Sequence, residues 1–179
     1  MRFALSNDLT ELTTERLVLT TWTAEAVGAV LAGVDRRPAH WAADFPADGD
    51  RVIAGLLETN PDWLGVYGHR LITERRTGLV VGSIGLFWPP SDGVLELGYG
   101  VVASHQGRGY ATEAATALAA FALGAPGVHT VVAGVALSNP ASVRVLEKAG
   151  FDRFETVPAE DGGELARYRM TTVPELRHA

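Results

Sequence analysis

The chain has no cysteine. Disulfides, zinc–thiolate sites, iron–sulfur clusters and a thiol nucleophile are therefore excluded. No stretch approaches the roughly 18 uninterrupted apolar residues of a membrane-spanning helix. The apolar part of Met1–Asp8 is too short for a secretion signal, and acidic residues follow it, so a cytoplasmic protein is expected. Basic residues are in the minority: 15 Lys and Arg against 21 Asp and Glu leave a net charge of −6. That balance argues against general binding of nucleic-acid phosphates, although one phosphorylated ligand can still be held locally. No Gly-Lys pair occurs, so the P-loop is absent. His40 and His69 stand alone, without metal-ligand spacing, and no metal is expected.

What is present suits one globular domain over residues 1–179, with 47% hydrophobic and 20% charged residues. Residues 1–13 read as a loose leader and residues 172–179 as a tail. Alternating or β-branched runs predict strands over 16–21, 64–74, 79–87, 94–102, 130–137, 151–156 and 164–171. The turn Arg75-Arg76-Thr77-Gly78 joins two of them as a hairpin. Helices are expected over 23–31 behind a Thr cap and over 50–58 behind an Asp cap. Tyr110, Ala114, Ala117, Leu118 and Phe121 form a stripe of helical period, so 109–123 is a third helix. Asn139-Pro140 fits an N-cap followed by proline at the first helical position, opening a fourth that ends at Gly150. The order implies an α/β fold with a mixed sheet.

The segment Val101 to Thr112 lies between a strand and the strongest helix. Gly107 and Gly109 sit where the chain must turn and expose its N–H groups. The helix N-terminus adds unpaired donors and the positive end of its dipole, an arrangement that holds phosphate or pyrophosphate. Arg108 adds a positive charge beside it, and Ala111 leaves room near the backbone. A tight strand-to-helix connection is the plainer reading of the two glycines. The partial dinucleotide pattern at Gly98-Tyr99-Gly100 fails, because its glycines fall inside the strand.

The sequence here resembles the GNAT superfamily of acyl-CoA-dependent N-acetyltransferases. Gln106-x-x-Gly109-x-Ala111 matches that family's cofactor motif. Glu96-Leu97-Gly98-Tyr99, the stretch Gln106 to Ala114, Asn139-Pro140-Ala141-Ser142, Glu147 to Phe151 and Thr14 to Leu19 resemble the ribosomal-protein N-terminal acetyltransferase branch. The resemblance covers about residues 13–171. It implies a mostly antiparallel sheet, flanked by helices, in which strands 94–102 and 130–137 run parallel and splay apart. The pantetheine arm of acetyl-CoA would lie in that opening and bond to the backbone near Val101. The pyrophosphate would sit on the amides of residues 107 to 112.

With no cysteine, direct attack of a primary amine on the thioester is the simplest chemistry. Deprotonating an α-amine of pKa about 8 costs roughly 1 kcal/mol at pH 7, against about 4.6 kcal/mol for a lysine amine. A modest base suffices for the first. Glu96 is the leading candidate, sharing a strand face with Gly98 and Gly100; partial burial would raise its pKa. The alternative is a structural or substrate-orienting carboxylate. Many members of the superfamily protonate the leaving thiolate with a Tyr in the helix that begins here at Pro140. Residues 140–149 contain none, which leaves Ser142 as the available hydroxyl. Asn139 is either a helix cap alone or a cap that also bonds the pantetheine. Trp41, Phe45 and Trp63 either line the acceptor pocket or pack in the core. Arg144 and Lys148 face either the 3′-phosphate end or solvent. The acceptor is expected to be a peptide N-terminus or a small amine, and the protein a monomer or homodimer. The rival reading is a catalytically idle acyl-CoA-binding sensor.

Overall fold

The computed structural model of the chain describes residues 2–33 and 36–171. Nine strands form one sheet: β1 (Ala4–Leu5), β2 (Glu11–Thr13), β3 (Leu17–Thr21), β4 (His69–Glu74), β5 (Val80–Leu86), β6 (Val94–Val101), β7 (Thr130–Ala136), β8 (Asp152–Pro158) and β9 (Glu164–Met170). Their spatial order is β1-β2-β3-β4-β5-β6-β7-β9-β8. Every neighbouring pair is antiparallel except β6 and β7, which run parallel. The helices are α1 (Ala24–Leu31), α2 (Asp48–Thr59), α3 (Tyr110–Leu123) and α4 (Pro140–Lys148).

Local chemistry explains the boundaries. Thr23 accepts a hydrogen bond from the Ala26 N–H at 3.1 Å and starts α1. Asn139 does the same for α4, taking the Ser142 N–H at 3.1 Å, with Pro140 in the first turn. The second helix differs from expectation. It begins at Asp48 rather than Asp50, and Asp50 reaches back from inside the first turn to the Ala47 N–H at 2.8 Å. The expected strand from Leu64 is shorter too, because Pro61–Leu64 form a 3₁₀ turn before β4. The segment expected as a loose leader contributes β1 and β2, which extend the sheet beside β3. The expected tail, 172–179, lies outside the described residues.

The apolar pattern sets the layers. Every residue of β5 is buried, as a strand covered on both faces requires. The stripe on α3 is buried throughout, and Ala115, Ala119 and Ala122 widen it. Alternation places the helices on opposite faces. Ser83 stands opposite Gly100 in the β5–β6 ladder and bonds to Asp50 of α2. Tyr99, the neighbour of Gly100, points the other way and bonds to Ser142 of α4. The middle of β6 is therefore reached by α2 from one side and by α4 from the other.

Candidate active site

Pairing between β6 and β7 runs from Val94–Thr130 to Glu96–Val132. Beyond that rung β6 keeps its bonds to β5, and β7 its bonds to β9, so the two strands part. A cavity of about 470 Å³ lies at this wedge. Val101, Gln106, Gly107, Gly109, Ala111, Thr112, Asn139 and Ser142, all expected at the site, line it. Arg144 and Lys148 line it as well, adding two cations to its wall.

The loop owes its shape to Gly107 and Gly109, whose φ angles of +74° and +80° lie in the left-handed region that other residues rarely adopt. Gly109 is the N-cap of α3, and no side chain caps that terminus. The N–H groups of Tyr110, Ala111 and Thr112 therefore have no helical acceptor and border the cavity. Gln106 folds back onto the loop, its Nε2 donating to the Val101 carbonyl at 2.8 Å.

A clamp holds the loop from behind. Buried Glu113 accepts from the Thr14 hydroxyl at 2.7 Å, the Arg16 N–H at 2.8 Å and Arg16 Nε at 2.7 Å. Burial opposes its charge, but these bonds outweigh it and hold the carboxyl below its usual pKa. Arg16 also donates from NH1 to the Arg108 carbonyl at 2.8 Å and stacks over the Tyr110 ring. The Thr14–Arg16 motif therefore acts on the loop from the turn between β2 and β3.

Two expected residues stand apart. Arg108 is not a free charge beside the loop: NH2 donates to the Ser104 carbonyl at 3.2 Å and NH1 lies 3.6 Å from Glu74. Its side chain does not line the cavity. Glu96 is exposed rather than partly buried, and it too lies outside the cavity lining. It does occupy the last paired rung before the wedge, at its apex.

One residue was not anticipated. The Tyr99 hydroxyl lies 2.6 Å from Ser142 Oγ and 3.2 Å from the Ser142 carbonyl oxygen. Burial pushes the phenol above its ordinary pKa, and the bond to Ser142 only partly offsets this, so the hydroxyl keeps its proton. The helix lacks a tyrosine, and the facing strand supplies one. Alternation along Glu96-Leu97-Gly98-Tyr99 would have set Tyr99 on the face opposite Glu96, the available signal for its role. The aromatic residues near the early helices divide: Trp41 and Phe45 pack edge to face in the core, while Trp63 donates Nε1 to the Trp88 carbonyl at 2.7 Å.

The acetyltransferase (GNAT) domain family matches residues 16–152 of the chain. The uncharacterized N-acetyltransferase YjdG of Bacillus subtilis (strain 168) is 33% identical over 82 residues, which are 45% of this chain and 49% of that protein. The match thus spans about half the length of this curated relative. The crystal structure of an acetyltransferase from Agrobacterium tumefaciens str. C58 is 29% identical, with a TM-score of 0.66 over 96% of this chain and all, 100%, of that one. A structure from Vibrio cholerae, named as a candidate ribosomal-protein-serine acetyltransferase, shares the fold at 19% identity, with a TM-score of 0.66 over 90% of this chain and 97% of that one.

Proposed function

The chain belongs to the GNAT acetyltransferase family, and on that premise we propose that it transfers an acetyl group from acetyl-CoA to a primary amine by direct attack. The observation that carries this is the Tyr99–Ser142 hydroxyl pair beside an uncapped helix N-terminus in the same cavity. The amides of residues 107 to 112 hold the pyrophosphate, favoured by the dipole of α3. Arg144 and Lys148 lie where phosphate charge accumulates. The Val101 and Asn139 region receives the pantetheine arm.

The thioester supplies an activated carbonyl; the chain supplies the proton traffic. The C–N bond forms as the C–S bond breaks, and the sulfur leaves needing a proton or a strong hydrogen bond. Tyr99 and Ser142 provide it, one hydroxyl donating while the other reprotonates it, and the N-terminus of α4 adds its positive end. Glu96, at the apex of the wedge and on the face of Gly98 and Gly100, accepts the proton lost by the amine, directly or through water. The deprotonation to be driven at pH 7 is roughly 1 kcal/mol for an α-amine and about 4.6 kcal/mol for an alkyl amine of lysine-like basicity, which a nearby base and the binding of the acceptor supply together. The acceptor is a peptide N-terminus or a small amine, and the protein acts in the cytoplasm as a monomer or homodimer without a metal. The hydroxyl pair weighs against an idle acyl-CoA sensor, which has no use for a proton donor at the sulfur.

Thiol release from acetyl-CoA tests the proposal, using peptides with Ala, Ser or Met N-termini, lysine side-chain peptides, polyamines, amino sugars and amino acids. Turnover with one class and its loss in Glu96→Gln are expected. Calorimetric CoA binding with silence across the panel would overturn the reaction and favour the sensor.

A further inference from the structure

On the α2 side of the sheet a second cavity, about 310 Å³, shares Tyr99, Gly100 and Val101 with the first. An acceptor placed there would meet the thioester across β6. Its floor is glycine: Gly85 pairs with Gly98, and Gly100 with Ser83. A Cβ at Gly100 would meet nothing within 4 Å, so this floor borders open space.

The walls are polar and buried. Asp50 is 5% exposed; one carboxylate oxygen accepts the Ala47 N–H at 2.8 Å and the other accepts the Ser83 hydroxyl. Among the described residues no cation lies within 4.0 Å of it. The adjacent Arg51 donates to the Pro46 carbonyl at 3.1 Å. A carboxylate accepts about four hydrogen bonds, and a buried one without a cation is costly. Across the floor, His69 is 2% exposed, packs its ring over Gly85, and has no partner for Nε2 among the described residues. Burial lowers its pKa to about 4, so the ring is neutral at pH 7 and does not repel a cation. Asp50 and His69 thus both line one small cavity, at the lower end of the size range for ligand pockets, and Asp50 keeps unused bonding capacity.

We propose that Asp50, backed by Ser83, selects the acceptor by taking the second ammonium of a small diamine whose other nitrogen is acetylated. This rests on the acetyl-transfer reading above. The reacting nitrogen loses its proton and forms the C–N bond as the C–S bond breaks, the sulfur gains a proton, and the distal ammonium keeps its charge throughout. Neutral His69 forms part of the opposite wall without repelling the ammonium.

The test is calorimetric binding of 1,4-diaminobutane and of butylamine to the CoA-loaded protein. The diamine should bind at least tenfold tighter, as a charge-assisted bond to a buried carboxylate implies. Asp50→Asn, which keeps an acceptor for the Ala47 N–H, should reduce that preference at least fivefold. A smaller preference in the wild type, or a smaller loss in the variant, overturns the assignment. Should the variant not fold, diamines of three to six methylenes serve with the wild type. A single preferred length supports a fixed distance between the reacting nitrogen and Asp50, and a flat series refutes it. The two readings separate cleanly. Preference that depends on Asp50 without thiol release keeps the pocket and sinks the reaction, while turnover of amines without preference does the reverse.

Discussion

The hydroxyl pair at the wedge makes the most demanding prediction. Tyr99→Phe and Ser142→Ala each remove one partner of a contact of 2.6 Å. For folding, the loss is that of a neutral hydrogen bond, about 1 kcal/mol, which at this chain length lowers the melting temperature by roughly 2–4 °C. For catalysis it is larger, because the partner in the transition state is a sulfur gaining negative charge. Bonds to charged groups contribute about 1.5–3 kcal/mol, so kcat should fall by roughly 10- to 150-fold in either variant. The double variant is the sharper instrument. If the two hydroxyls form one proton path, removing the second costs little once the first is gone, and the effects do not multiply. The assay is thiol release at saturating acceptor for the four proteins, with acetyl-CoA affinity measured by calorimetry to separate binding from chemistry. Losses that multiply across the double variant, or a kcat within twofold of wild type in Tyr99→Phe, would refute the shared path.

Three further outcomes follow from the supporting geometry. Glu113→Gln loses the charge that meets Arg16 Nε at 2.7 Å, costing about 2 kcal/mol, or roughly 4–8 °C in melting temperature by calorimetry. Because the folded carboxyl sits below its ordinary value, its stabilisation is complete above the unfolded pKa of about 4.3 and disappears as the pH falls through the lower folded value. Wild-type melting temperature should therefore drop more steeply than that of Glu113→Gln in that acid range. Gly109→Ala forces an L side chain to φ +80° with its Cβ 3.2 Å from the Arg16 guanidinium. At about 1–2 kcal/mol of strain, CoA affinity measured by calorimetry should weaken roughly 5- to 30-fold. Gly85→Ala would put a Cβ 1.9 Å from His69 Nδ1, so the ring must move; steady-state kinetics should show a raised acceptor KM without a matching change in acetyl-CoA affinity.

Much of the fold was legible because its signals are local. The stripe on α3, the Asn139-Pro140 cap and the hairpin that joins β4 to β5 each declare themselves within a dozen or so residues. The shape of the loop before α3 was legible for the same reason: it turns on Gly107 and Gly109, and only glycine makes that turn readily. Illegible features depend on distant partners. Asp50 reads as a helix cap until Ser83, 33 positions away, is seen to bond its other oxygen. Glu113 reads as a first-turn acid suited to the dipole, yet its partners Thr14 and Arg16 come from 99 and 97 positions upstream. Burial is a property of the assembled layers, which is why Glu96 reads as half-covered and stands exposed.

The hydroxyl that α4 lacks in a tyrosine is offered in this chain by the facing strand. A wedge between parting strands has two walls, and under the proposed reaction a leaving sulfur between them would be reached from either. Here the one hydroxyl that the α4 wall carries is Ser142, a short side chain whose backbone N–H is already committed to the Asn139 cap. The β6 wall carries Tyr99, long enough to cross to it. A search for tyrosine in α4 therefore looks for the right chemistry on the wrong wall. What the reaction constrains is a hydroxyl at one point in space, and alternation on β6 assigns the two faces separately. Gly98 and Gly100 face the α2 side, while Tyr99 between them faces α4. A one-residue slip in the β5–β6 register would exchange those assignments, closing the floor and withdrawing the hydroxyl together. The ladder from Gly82–Val101 to Leu86–Leu97 is thus as much part of the site as the residues it displays.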